Sequence, residues 1–187
     1  MSALRTVENG TVPEVGTWHI DQSHSDLRII ARHLMVAKVR GTFEDFAGTI
    51  VVAEDPLQSS VDFEAKAASV TTGTIDRDNH LRSADFLDTE QYPLVTFVST
   101  GLAPVGEGWK LTGELTIRGV TRPVTFDVAF EGGATDPYGN TKAAFSARGE
   151  VDRREWGLTW NAPLEGGGVL VSEKFKIEFD VEADLQS

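Results

Sequence analysis

The chain has 187 residues and no cysteine, with 17 Lys and Arg against 29 Asp and Glu and a formal net charge of −12. Such a length fits one domain of β-barrel size, which buries roughly 70% of the surface its unfolded chain exposes and needs no staples. Disulfides and thiolate metal sites are excluded, and the acidity argues against nucleic acid as a partner, since like charges repel.

Residues 1–15 show no sustained period and contain Gly10 and Pro13, so a flexible tail is expected there. Glu8 and Glu14 interrupt any apolar leader. No secretory signal is read, and a cytoplasmic location is the expectation. No window approaches the ~18 apolar residues of a membrane-spanning helix. One β-barrel domain is assigned to residues 16–187.

From Trp18 onward strands alternate with turns. Leu27, Ile29 and Ala31 face one way while Arg28 and Arg32 face the other. The same alternation runs through Val61, Phe63 and Ala65, then Leu111, Leu115 and Ile117, then Val124, Phe126, Val128 and Phe130, and finally Phe175, Ile177, Phe179 and Val181. One apolar and one wet face is the mark of antiparallel sheet. Turn residues at Gly106-Glu107-Gly108, Arg118-Gly119 and Asp136–Asn140 separate the runs. Eight or nine short strands spaced this way point to a barrel or a sandwich.

Residues 75–93 break the pattern. Asp76 or Asp78 is placed to cap a helix of about two turns, and Pro93 is placed to stop it. Gly41, Gly48, Gly113 and Gly149 fall inside strand patterns, where glycine marks a bulge, a corner or the close approach of another group.

No catalytic residue is assigned. There is no GxSxG elbow, P-loop or GxGxxG, and none of the four histidines has metal-ligand spacing, so neither a metal nor a cofactor is expected. His24 reads as a structural side chain in a turn. His33 continues the inward parity of Leu27, Ile29 and Ala31, either as a satisfied core histidine or as a polar contact for a ligand. His80 and Arg82 belong to the short helix, which either plugs one end of the barrel or greets the polar end of a ligand. Phe43, Phe46, Phe63, Phe97, Leu115, Ile117, Phe126, Phe145, Leu158 and Trp160 are candidates for the interior. An apolar interior reads alike whether packed or hollow.

Five blocks in order resemble the YceI family of polyisoprenoid-binding proteins. They are Ile20-Asp21 with His24-Ser25, Arg32–Met35 with Val39–Phe43, Asp78–Phe86, Gly113–Val124, and Arg153 with Trp156-Gly157-Leu158. The resemblance covers residues 16–184. It implies a lipocalin-like barrel of eight antiparallel strands holding a polyisoprenoid, an isoprenoid quinone or a similar amphiphile without catalysis; the short helix read from residues 75–93 is placed between strands four and five. On this reading His33, His80, Arg82 and the interior residues above would bind the ligand. An enzyme or redox-linked protein acting on a bound quinone is the alternative. The resemblance allows a homodimer, and no segment marks an interface.

Overall fold

The structure, a computed structural model, describes residues 3–7 and 10–186. Met1, Ser2, Glu8, Asn9 and Ser187 lie outside the described residues, so the tail assignment is compared only with the remainder. There the chain is ordered differently from the expectation. β1 (Leu4–Val7) and β2 (Gly10–Pro13) pair as an antiparallel hairpin, with Arg5 opposite Val12. Ala3 and Val12 are buried. The guanidinium of Arg5 donates to the backbone carbonyls of Ala53 and Glu54, which fastens the hairpin to the barrel end. Arms of four residues are too short to show a period, and that is why the segment read as a tail.

Every strand of the barrel follows from period-two alternation. β3 (Gly16–Ile20) and β4 (Asp26–His33) are two parts of one strand, interrupted by a single 3-10 turn at Gln22–His24. β5 (Ala37–Phe43) and β6 (Phe46–Val52) form the next, bent at Glu44 and Asp45. β7 (Ser60–Lys66) continues into the short β8 (Val70–Thr71). β9 (Leu94–Val105), β10 (Gly108–Ile117), β11 (Val120–Thr135), β12 (Thr141–Asp152) and β13 (Lys174–Leu185) complete the set.

The sheet runs β12-β11-β10-β9-β7-β6-β3-β13, and β13 pairs again with β12, which closes an eight-stranded antiparallel barrel. The closing register sets Phe145 opposite Val181 and Gly149 opposite Ile177. Register shifts at Thr112/Gly113 and Phe130/Gly132 supply the local kinks that closure needs. Arg118 and Gly119 both take positive φ, 50° and 71°, and close the tight β10–β11 hairpin between Ile117 and Val120.

Two interior glycines show the close approach expected from the sequence. A Cβ at Gly113 would collide with the Phe97 ring, and one at Gly149 would lie 2.6 Å from the Phe126 ring. Both rings therefore pack directly against backbone that carries no Cβ.

The helix α1 (Ile75–Arg82) joins the third and fourth strands of the barrel, not the fourth and fifth, and begins and ends elsewhere than expected. Its N-cap is Thr74, and Asp76 and Asp78 sit in the first turn. Asp78 turns back instead, accepting from Thr72 N at 2.7 Å and from the hydroxyls of Thr72 and Thr71. The helix stops at Ser83, well before Pro93, because the Ser83 carbonyl takes Phe86 N and Asp88 N into tight turns.

Candidate functional site

The inward residues of the strands do not meet at the axis. They enclose a cavity of about 520 Å³ whose walls are overwhelmingly carbon. The inward sets read from the sequence supply these walls: Leu27, Ile29 and Ala31; Val61, Phe63 and Ala65; Leu111, Leu115 and Ile117; Phe126, Val128 and Phe130; Phe175, Ile177, Phe179 and Val181.

The residues singled out from the sequence fall in different places. His33, Phe43, Phe63, Phe97, Leu115, Ile117, Phe126, Phe145, Leu158, Trp160 and His80 all line the cavity. Phe46 does not. It faces inward opposite Ala65 but is covered by neighbouring rings, its own lying 5.8 Å from that of Phe63 and 5.4 Å from that of Phe179. Arg82 does not either. Its guanidinium donates to the carbonyls of Ala68 and Val70, and so ties α1 to the β7–β8 segment. A long cation beside exposed backbone carbonyls is satisfied there and has no reason to enter an apolar tunnel.

The charged and imidazole groups of the lining gather at one end. Arg32, His33, Arg77, His80 and Arg153 lie at the mouth formed by the β4–β5 turn, α1 and the segment 157–173. The opposite end, under the β1–β2 hairpin, is lined by Val12, Pro13, Val52, Phe130 and Phe145, with hydroxyls at Ser59, Ser60 and Ser146.

Arg153 organises the mouth. It continues the inward parity of Ala147, Gly149 and Val151, is 5% exposed, and among the described residues forms no ion pair with a carboxylate. Its guanidinium donates instead to the carbonyls of Leu158 (2.5 Å), Trp160 (2.9 Å), Ser172 (3.0 Å) and Val171 (3.5 Å). It also lies 5.9 Å from the Phe86 ring centroid. Burial lowers its pKa, opposed by Glu173 and Asp152, and guanidinium stays charged at neutral pH regardless. These four bonds gather both arms of the glycine-rich segment around one cation. That segment then carries Trp160 and Leu170 to the cavity. Sequence reasoning gave Arg153 no role in the site, although its parity was the signal.

His80 sits beside it. Its Nε2 is 2.8 Å from Asp85 Oδ2, and its ring stands edge-on to Trp160 at 4.5 Å and to Phe86 at 5.0 Å. Among the described residues no nucleophile hydrogen-bonds to it. His33 is half-buried. Its strand residue bridges to Val171, and among the described residues its ring has no hydrogen-bond partner. Asp78, under α1, is buried. Burial raises its pKa, but the bonds from Thr72 and Thr71 outweigh that and leave it below the ordinary carboxylate value.

His24 stands away from the cavity, on the surface where β3 breaks to β4. It lies 2.7 Å from Asp21 and 3.7 Å from Glu182, a trio close enough to hold a metal ion. Lys142 already fills that role. Its ammonium lies 3.3 Å from Asp21, 2.9 Å from Glu182 and 2.7 Å from Asp184. The hydrogen bonds from Ser23 and His24 hold Asp21 far below the usual carboxylate range, and the bond to Asp21 raises the pKa of His24. Among the described residues no helix is long and apolar enough to cross a membrane.

The YceI-like domain family model matches residues 18–183. A UPF0312 protein of Staphylococcus epidermidis is 35% identical over 175 residues, covering 91% of this chain and 98% of its own. Protein YceI of Escherichia coli is 38% identical over 136 residues, covering 72% of this chain and 71% of its own. Among solved structures, the Campylobacter jejuni YceI protein superposes with a TM-score of 0.71 at 29% identity, over 83% of this chain and 90% of that one. A polyisoprenoid-binding domain from Saccharophagus degradans shares the fold, with a TM-score of 0.66 at 15% identity over 92% of this chain and 100% of that one. With the matched region spanning the whole barrel, this chain belongs to the YceI-like family.

Proposed function

We propose that this protein is a non-catalytic carrier that holds one long apolar amphiphile, a polyisoprenoid, an isoprenoid quinone or a close analogue, inside the barrel. One observation carries the reading: an apolar cavity of about 520 Å³ with its cationic and imidazole groups confined to one end. That volume lies in the range of small-molecule sites, which are apolar with a few placed polar groups. Each buried methylene contributes about 0.8 kcal/mol, so a prenyl tail binds tightly with few polar contacts. The polyisoprenoid-binding domain of the same fold is consistent with this ligand class. The head group would lie at the mouth near His33 and His80, with the tail towards Phe130 and Phe145.

The alternative, an enzyme or redox-linked protein acting on a bound quinone, has a foothold only in the His80–Asp85 pair. That pair lacks a bonded nucleophile, and two aromatic rings pack against the imidazole.

Organic extraction of the purified protein followed by mass spectrometry tests the proposal. A stoichiometric prenyl lipid or quinone is the expected result. Leu115→Arg should remove it from a folded protein, and His80→Ala should leave most of it bound. An empty extract from protein offered prenyl lipids in detergent would sink the carrier reading.

A further inference from the structure

The β4–β5 hairpin rises beside the cavity mouth and ends in three apolar residues that nothing covers. Leu34, Met35 and Val36 are 44%, 52% and 79% exposed. Leu34 and Met35 both take positive φ, 52° and 60°, a conformation disfavoured for residues bearing a Cβ. The turn is held there by Val36 N donating to the His33 carbonyl and by Leu34 N donating to the Leu170 carbonyl of the glycine-rich segment. The tip is thus fixed to the rim. Ile75, in the first turn of α1 on the same rim, is 76% exposed.

The outer face of this finger is basic. Arg32 lies opposite Lys38, and Arg40 lies opposite Ile30, whose other neighbour is Lys176. Among the described residues Arg32, Lys38, Arg40 and Lys176 form no ion pair; this is shared with Arg5, Arg77, Arg82, Arg118, Arg122 and Arg153, so what sets the finger apart is that three such cations, all exposed, stand beside an exposed apolar tip. On a chain with net charge −12 this makes a local basic face next to an exposed apolar edge.

We infer that the β4–β5 finger docks the barrel mouth onto an anionic lipid bilayer, with Leu34, Met35 and Val36 entering the headgroup region and Arg32, Lys38 and Arg40 contacting lipid phosphates. The inference rests on the carrier reading and names the surface from which the carrier loads. Fields from exposed charges fade within about 8 Å at physiological salt, so the local finger and not the net charge decides the encounter. Asp76 and Glu165 are exposed on the same rim, so charge alone is insufficient and the apolar tip is required. A basic face with an apolar edge is the chemistry of interfacial membrane binding.

The test is flotation of the purified protein with vesicles of phosphatidylcholine, with and without phosphatidylglycerol. The wild type should float with the anionic vesicles only, and added salt should release it. Reversing charge at Lys38→Glu and Arg40→Glu should weaken partition by about fivefold for each cation lost. Met35→Asp with Val36→Asp should abolish flotation, while Tyr138→Asp, at the opposite barrel end and 90% exposed, should not. Lipid extracted from the Lys38, Arg40 and tip variants, none of which lines the cavity, should match the wild type, which separates this inference from the carrier reading. Failure of the wild type to float, with lipid still extracted, would overturn the docking surface and leave the carrier standing. Flotation of the finger variants at wild-type strength would overturn it as well. So would a dimer that the tip variants dissolve, because a second copy would then be what covers the finger.

Discussion

The two ends of the barrel are closed by different chemistry. At the mouth, a buried guanidinium holds four carbonyls, a buried carboxylate pins α1 through Thr71 and Thr72, and His80 leans on Asp85 between two rings. At the far end, a four-residue hairpin lays Val12 and Pro13 over the cavity, and Arg5 fastens it to partly exposed carbonyls. Burying charge is unfavourable unless every bond is made, so polar groups persist inside only where they are fully satisfied. An end closed by apolar contact carries no such constraint. The difference gives the tunnel a direction. Under the carrier reading it sets which end of the ligand faces water.

Arg153 and Arg5 make a matched pair for testing that contrast, since both donate to backbone carbonyls. Arg153→Met removes the donor from the carbonyls of Leu158, Trp160 and Ser172, while Val171 keeps Asn161 Nδ2 at 2.8 Å. It should cost about 3 kcal/mol or more, lowering Tm by roughly 6–12 °C in a thermal melt followed by circular dichroism. Arg153→Lys should recover only part of this, because an ammonium does not match the spread of the guanidinium fork. Arg5→Met should cost about 0.5–1 kcal/mol, since water replaces the lost donors. Equal losses at both positions would show that the ends do not differ in the way their polar bonds suggest.

The same contrast explains what was legible beforehand. The barrel walls were readable because a strand has a period of exactly two residues per repeat and its inward positions are apolar; Phe175 to Val181 is the plainest case. Arg153 and Asp78 were not assigned to the interior, because a charge at an inward position reads as an outward one until its carbonyl or hydroxyl partners are known. Those partners, Leu158, Trp160 and Ser172 or Thr71 and Thr72, are fixed by loop geometry and have no sequence period. The hairpin was missed for another reason. Asn9-Gly10 between Val7 and Thr11 is a hairpin signal, but arms of four residues show too little alternation to support it. Phe46 faces inward as expected, opposite Ala65, yet Phe63 and Phe179 cover it, and which inward ring reaches the open cavity is set by packing that has no sequence period.

A smaller effect is expected inside the tunnel. Gly113→Ala would place a Cβ against the Phe97 ring and 2.6 Å from the Val98 carbonyl, and the backbone partner has little room to move. Overpacking of this kind costs about 1–3 kcal/mol. It should also push Phe97 into the cavity. The extracted ligand should then fall below stoichiometric amount while the barrel still melts cooperatively. Full occupancy at wild-type stability would mean that the rings over Gly113 and Gly149 do not set the bore.

The smallest effect belongs to His24, which is mostly exposed. Its hydrogen bond and charge pairing with Asp21, helped by Glu182, raise its pKa above the ordinary 6.5. The folded state therefore holds the proton more tightly than the unfolded chain does. The resulting stabilisation is fully present below pH 6.5 and is lost as pH rises through the folded-state pKa. Asp21 has the opposite sign: its lowered pKa contributes stability above 3.8 that is lost as pH falls. A proton NMR titration of the His24 ring should show a midpoint above 6.5, returning towards the ordinary value in Asp21→Asn. The stability gap between wild type and His24→Ala should correspondingly narrow from pH 6 to pH 9. A midpoint at or below 6.5 would mean that Lys142, and not His24, neutralises Asp21 and Glu182 in solution.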